Sequence, residues 1–247
     1  MQRVLILALW LIGIVDSFGQ VLYNLNFNNQ PANSLVQTGA PPQYISRINF
    51  GTPSVVSAFG GLHDQPLRLA LGGPRPFYDQ IQLNFSNPLA SSLDLSFDFT
   101  SIGLVGSQAP GLFRVLGLGV DSVDLDSSGT ISAFNGHTVP LGHFTDNETF
   151  RILIHMDVQN RMCTVYKDGV MLGPGAFPSY IAADGAFRFN YGVNSISGGP
   201  DSSATAIDNV LLVAIPEPSV FSLAGLAVLT VLTLKRRRTA SLTLNIA

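Results

Sequence analysis

The stretch Phe150-Arg151-Ile152-Leu153-Ile154-His155-Met156-Asp157 sets Phe150, Ile152, Ile154 and Met156 against Arg151, Leu153, His155 and Asp157. That alternation has the two-residue period of a β-strand with one face in a core. Gln159-Asn160 reads as a turn into Met162-Cys163-Thr164-Val165-Tyr166, and Lys167-Asp168-Gly169 as a tight turn into Val170–Leu172. The same period recurs upstream. Leu93, Leu95, Phe97 and Phe99 alternate with Asp94, Ser96 and Asp98, and Ile81, Leu83 and Phe85 with Gln82 and Asn84. Phe113, Val115 and Gly117 open a strand predicted to run to Val120. Phe187, Phe189 and Tyr191 mark another, and Ile207–Ile215 the last.

No helical stripe occurs between Gln20 and Ile215. The chain carries 24 Gly and 15 Pro in 247 residues, punctuation suited to many short strands joined by turns. About ten to thirteen strands are expected, which makes the fold all-β: a two-sheet jelly-roll sandwich.

Charge divides the chain into three parts. Residues 20–215 hold fourteen acidic side chains, Glu148 and thirteen Asp, against eight basic ones, a net charge of −6. Such a balance argues against nucleic acid as a partner, since phosphate binding needs a basic patch. The remaining bases are Arg3 and the run Lys235, Arg236, Arg237, Arg238. At the N-terminus Gln2-Arg3 precedes the uncharged Val4–Val15, and Ser17-Phe18-Gly19 offers a small-residue cleavage site before Gln20. Residues 1–19 therefore read as a signal peptide. Twelve helical residues cover only about 18 Å, against a hydrocarbon core of about 30 Å.

At the other end, Pro216-Glu217-Pro218 precedes an apolar stretch (219–234) read as a transmembrane helix, then the basic run 235–238. Basic residues stay on the cytoplasmic side of a membrane, so both ends place residues 20–214 on its far side. The order of Pro-Glu-Pro, apolar helix and Arg cluster resembles the PEP-CTERM sorting signal of exported bacterial proteins, here over 215–238. Residues 239–247 follow it as a short tail, where such signals stop within a few residues. The resemblance implies export through the Sec machinery, membrane insertion through the C-terminal helix, processing by an exosortase-type enzyme, and delivery to the cell surface or exopolysaccharide matrix.

The strand pair from Phe150, with its Tyr166-Lys167-Asp168-Gly169 hairpin, is similar to laminin-G and concanavalin-like sandwiches. The Trp usually found before that strand is absent, because Trp10 is the chain's single Trp and lies in the leader.

Glycoside hydrolysis needs two carboxylates about 5–9 Å apart. Glu148, beside Asp146, is the only Glu outside the tail; Asp94/Asp98 or Asp124/Asp126 share a strand face and offer an Asp pair instead, although solvated polar alternation already explains Asp94 and Asp98. For calcium, Asp121, Asp124 and Asp126 precede the turn Ser127-Ser128-Gly129, although no EF-hand spacing occurs; Asp208 would suit a site between the first and last strands, but the first strand offers Asn26 and Asn28 rather than acids. These weak candidates leave room for a structural calcium; no other cofactor is implied. His63, His137, His143 and His155 form no close metal pair, with Thr138–Gly142 read as a loop. Cys163, the single cysteine, fits a packed strand position. Gly117-Leu118-Gly119 lacks the helix of a phosphate loop.

The sequence thus describes an exported, non-enzymatic structural or adhesive matrix protein. The alternative is a carbohydrate-binding, lectin-like module with an aromatic platform drawn from Tyr78, Tyr180 or Tyr191; a glycoside hydrolase ranks below both. Mass spectrometry of the cell-envelope fraction should recover peptides from 20–214 and few from 1–19. Recovery of a full-length cytosolic protein would contradict the export reading.

Overall fold

A computed structural model describes residues 19–28, 32, 34–35, 45–47, 54–70, 79–86, 90–106, 111–118, 121–178, 184–193 and 203–216. The chain divides into two units, Val21–Ala214 and residues 1–20 with 215–247, and the sandwich is the first. The strands are β1 (Gln20–Leu25), β2 (Ser34–Leu35), β3 (Ile45–Arg47), β4 (Ser54–Val55), β5 (Leu67–Ala70), β6 (Asp79–Ser86), β7 (Ala90–Ile102), β8 (Gly111–Leu118) and β9 (Asp121–Asp126). They continue with β10 (Thr130–Phe134), β11 (Thr138–His143), β12 (Phe150–Asp157), β13 (Met162–Lys167), β14 (Val170–Met171), β15 (Phe177–Pro178), β16 (Asp184–Val193) and β17 (Ala204–Pro216).

Among the described residues these form two sheets. A ten-stranded sheet runs β14-β13-β12-β7-β17-β5-β4-β2, with β1 also on β17 and β15 also on β13; a seven-stranded sheet runs β11-β10-β9-β8-β16-β6-β3. The expected two-sheet all-β sandwich is what the structure shows. The strand count exceeds expectation because β2, β3, β4, β14 and β15 have only two or three residues each, too few to display a period. Thr138–Gly142 is not the predicted loop but most of β11, paired with β10. Its Pro140 and Gly142 hid the alternation, and an edge position tolerates both.

The long pair β7–β12 sets the register of the ten-stranded sheet. Phe150, Ile152, Ile154 and Met156 lie opposite Phe99, Phe97, Leu95 and Leu93, and all eight are buried. On the seven-stranded sheet Ile81, Leu83, Phe113, Val115, Val123, Leu125, Phe187, Phe189 and Tyr191 are buried toward the same core. Aromatic rings join the two layers. Phe97 meets Phe189 edge-on with centroids 5.1 Å apart, and Phe99 meets Phe113 at 4.9 Å, separations at which ring quadrupoles attract. Cys163 is buried in this core, as expected of a packing residue.

Turn chemistry follows the sequence. Asp168 and Gly169 both have positive φ, 50° and 79°, as a type I′ hairpin between β13 and β14 requires. Asp157 closes the β12–β13 turn by accepting from the backbone N–H and side-chain amide of Asn160. Those hydrogen bonds hold its carboxyl below the usual range. Gly117 sits at a register shift between β8 and β9. With φ 119°, a Cβ there would lie 2.0 Å from the Ala186 carbonyl oxygen, so the close approach of β16 accepts only glycine. One flank is sealed where Leu172 and Gly173 pack on Gly142 and Leu141.

Phe97 fixes both register and layer spacing. Phe97→Ala should cost about 3–5 kcal/mol out of a total stability of about 5–15 kcal/mol. Denaturant melts read this directly; a loss under about 1 kcal/mol would contradict the described packing.

Candidate functional site

Burying Ile81, Phe113, Val123, Ile131 and Phe189 turns the intervening residues of the seven-stranded sheet to its outer face. Cross-strand register assembles them into two rows. In the first, Gln80, Asn190, Arg114, Asp124, Ser132 and Pro140 stand opposite one another from β6 to β11. The second places Gln82, Arg188, Leu116, Ser122 and Phe134 in line from β6 to β10.

Arg114 and Asp124 form a bidentate pair, Nε to Oδ1 and Nη2 to Oδ2, each at 2.9 Å. The planar fork matches both carboxylate oxygens, so Asp124 is spent on Arg114. Arg188 donates through Nε to Gln82 Oε1 at 2.8 Å, and Gln82 Nε2 donates to Asn84 Oδ1 at 2.6 Å. Tyr23 hydroxyl donates to the backbone carbonyl of Asn84. The Asn190 Oδ1 oxygen is buried without a hydrogen-bond partner. In the second row Phe134 is exposed, while Ser122 beside it is buried. This face therefore has a small-residue floor, an aromatic edge and a donor-rich end.

The outer face of the ten-stranded sheet is closed by ion pairs. Arg151 Nη1 lies 3.1 Å from Asp98 Oδ1, its Nη2 donates to Ser96 Oγ, and Asn209 Nδ2 donates to Asp98 Oδ2 at 2.8 Å. His155 Nδ1 lies 2.6 Å from Asp94 Oδ1. Asp94 and Asp98 are four residues apart on one strand, about 13 Å by strand rise, beyond either glycosidase spacing. Gly60 crosses this face, where a Cβ would lie 2.8 Å from Thr100 Oγ1.

The other sequence candidates are placed as follows. Asp146 Oδ1 accepts from Ser101 Oγ and the Leu104 N–H, and Oδ2 from the Val105 N–H, which ties the β11–β12 loop to the end of β7. Glu148 accepts from Lys167 Nζ and from the Thr145 N–H and hydroxyl. Burial pushes its carboxyl up, but these partners together outweigh that and hold it below its ordinary value. Lys167 Nζ also lies 4.5 Å above the Phe150 ring. The carboxyls of Asp146 and Glu148 thus organise a corner.

Asp126 accepts from the Ser128 and Thr130 N–H groups and the Ser128 hydroxyl, an Asx-type turn. Asp121 enters β9, and its side chain lies outside the described residues, while Asp208 stands on β17 in the other sheet. Asp124 and Asp126 thus lie on one sheet and Asp208 on the other, and among the described residues no group of three acidic, His or Cys side chains is arranged to hold a metal ion. Tyr191 is fully buried, its hydroxyl on Ser203, which corrects its reading as an exposed platform: it lies on the inner face of β16. Tyr78 and Tyr180 lie outside the described residues. So do Glu217, Pro218, Lys235, Arg236, Arg237, Arg238 and the helix and leader readings, while Pro216 closes β17. Among the described residues no helix is long and apolar enough to cross a membrane. Phe134, Arg188 and Asn190 are not singled out by the sequence, which marks Asn84 only as a polar position in the β6 alternation. Alternation names the outward residues of each strand, but not which of them become neighbours.

Solved structures share the architecture. The Emp47p carbohydrate recognition domain superposes with TM-score 0.51 at 11% identity, covering 80% of this chain and 97% of that one. The binding domain of botulinum neurotoxin serotype D gives 0.54 at 12% identity, covering 86% and 52%. A sialidase gives 0.53 at 13% identity over 77% of this chain, which spans 18% of the sialidase's length. The likeness lies in the fold: a two-sheet, all-β sandwich. No known family profile and no curated protein matches the sequence.

Asp208 yields a pH test. Burial, with Asp98 and Asp64 nearby, raises its carboxyl to about 6, against the hydrogen bond from the Asn209 N–H. The native state therefore holds this proton more tightly than the unfolded chain does. Asp208's contribution to stability is full below the unfolded value of 3.8 and is lost as pH rises through 6. Urea melts of Asp208→Asn should gain about 1–3 kcal/mol on the parent between pH 4 and pH 7; a pH-independent difference would contradict the burial argument.

Proposed function

We propose that the sandwich is an exported, lectin-like carbohydrate-binding module that takes glycan across the outer face of its seven-stranded sheet. The observation that carries the reading is the second row, where exposed Phe134 borders the Ser122 floor and leads to the donor cluster at Arg188. Sugar rings stack their C–H faces on aromatic rings and present hydroxyls in fixed directions, so they need apolar and planar polar groups side by side. Phe134 and Arg188 are three strand spacings apart, about 14 Å, room for more than one sugar unit.

The fold likeness supports the reading. One similar structure is titled a carbohydrate recognition domain, and a neurotoxin structure is titled for its interaction with two ganglioside molecules. The basic-flanked ends support export and delivery to the cell surface. Turnover is not part of the proposal, because Asp124, Asp146 and Glu148 are already committed to Arg114, the β7 end and Lys167.

A glycan array probed with the full chain, with a calcium-chelated control, should show chelator-insensitive binding. Phe134→Ala should weaken it about 3- to 10-fold without changing the melt. Absence of binding on the array, or reducing-sugar release that disappears in Glu148→Gln or Asp146→Asn, would overturn the reading.

A further inference from the structure

The cluster at β6 and β16 is polar in one direction. Arg188 carries N–H donors and no acceptor. By donating Nε to Gln82 Oε1 it orients that amide, leaving Gln82 Nε2 to donate onward to Asn84 Oδ1. Asn84 is thereby turned so that its own Nδ2 remains as a donor. The relay spends its two amide oxygens internally and leaves both Arg188 Nη groups and the Asn84 amide nitrogen. Arg188 is exposed, and no described carboxylate lies within ion-pair distance of it, whereas Arg114 and Arg151 each have one. Two residues along β16, Asn190 is nine-tenths buried, and its Oδ1 has no partner. Asn190 stands opposite Gln80 on one side and Arg114 on the other, on the same face as Arg188.

A ligand fitting this place must present acceptors to Arg188 and Asn84, while the Asn190 oxygen lies buried beneath the face. A neutral sugar meets those donors only with uncharged hydroxyl, ring and glycosidic oxygens, weaker partners for a guanidinium than an anion. A sugar acid offers a carboxylate, which a guanidinium fork binds through two parallel N–H bonds, on a ring that also bears hydroxyls. We infer that the Arg188–Gln82–Asn84 cluster is a subsite for the carboxylate of a uronate residue in an acidic polysaccharide. The inference rests on the carbohydrate-binding reading and narrows it.

The test measures binding of the full chain to three immobilised polymers: alginate, alginate with its carboxyls reduced to alcohols, and dextran. Alginate should bind, and the carboxyl-reduced polymer should bind about tenfold or more weakly. Arg188→Gln should lose about the same factor on alginate only. Arg188→Lys should recover less than half of that loss in free energy, because an ammonium keeps the charge but not the fork. Arg161→Gln, an exposed arginine on the β12–β13 turn, controls for net charge and should bind as the parent does. Equal binding of alginate and its reduced form, unaffected by Arg188→Gln, would overturn the uronate subsite and leave glycan binding intact. Binding to none of the three, with none on a glycan array, would overturn both.

Discussion

The layer of rings between the sheets is the constraint from which the remaining geometry follows. Phe97 and Phe99 from β7 lie against Phe189 and Phe113 from the facing sheet, and Phe150 from β12 closes on Phe99 at 5.4 Å. Once these five rings point inward, parity assigns every neighbour along their strands. On β7 Asp94, Ser96 and Asp98 must face out; on β8 and β16 so must Arg114, Arg188 and Asn190. A one-residue slip in either sheet would exchange rings for charges, a cost no local rearrangement offsets. The candidate site is thus a consequence of the core: its side chains are neighbours because the rings behind them are.

Part of the acidic character of the chain's middle is explained by the turns. Asp126, Asp146, Asp157 and Glu148 each accept backbone or side-chain hydrogen bonds where the chain reverses direction or must be tied down. Short carboxylate side chains satisfy N–H groups that a strand leaves unpaired when it ends. A sandwich of many short strands has many such ends. Sequence spacing sees Asp124 and Asp126 close together and suggests chemistry, but Asp124, within β9, is paired with Arg114, while Asp126 caps the turn that follows.

That distinction marks how much was legible. The strands around Leu93, Phe150, Met162 and Phe187 could be read because one face is apolar and the other polar, and the Asp168-Gly169 hairpin because few residues adopt its backbone conformation. The two-sheet sandwich followed. Thr138–His143 was missed because Pro140 and Gly142 interrupt a strand whose apolar residues, Val139 and Leu141, are too few to show a period. The site was half legible. Gln82 and Asn84 were recognised as outward-facing, but the Arg188 contact comes from a ladder that joins residues over a hundred positions apart, and no local pattern encodes that register. Tyr191 shows the converse error: its place in the alternation of Phe187 and Phe189 already put it inward, and its polar tip is satisfied by Ser203 inside the core.

Charge then separates the two outer faces. The ten-stranded sheet pairs Arg151 with Asp98 and His155 with Asp94, so these charges satisfy one another. The seven-stranded sheet neutralises Arg114 with Asp124, whereas among the described residues Arg188 is anchored by the Gln82 amide and by no carboxylate. Within a sandwich of net charge −6, an approaching polyanion is repelled at distances up to a Debye length, about 8 Å at physiological salt. Long-range steering therefore does not favour acidic ligands here. Attraction begins only at contact, where oriented donors meet a matching carboxylate. Such a surface discriminates by geometry rather than by bulk charge, rejecting polyanions whose acceptors cannot reach Arg188 and Asn84 together.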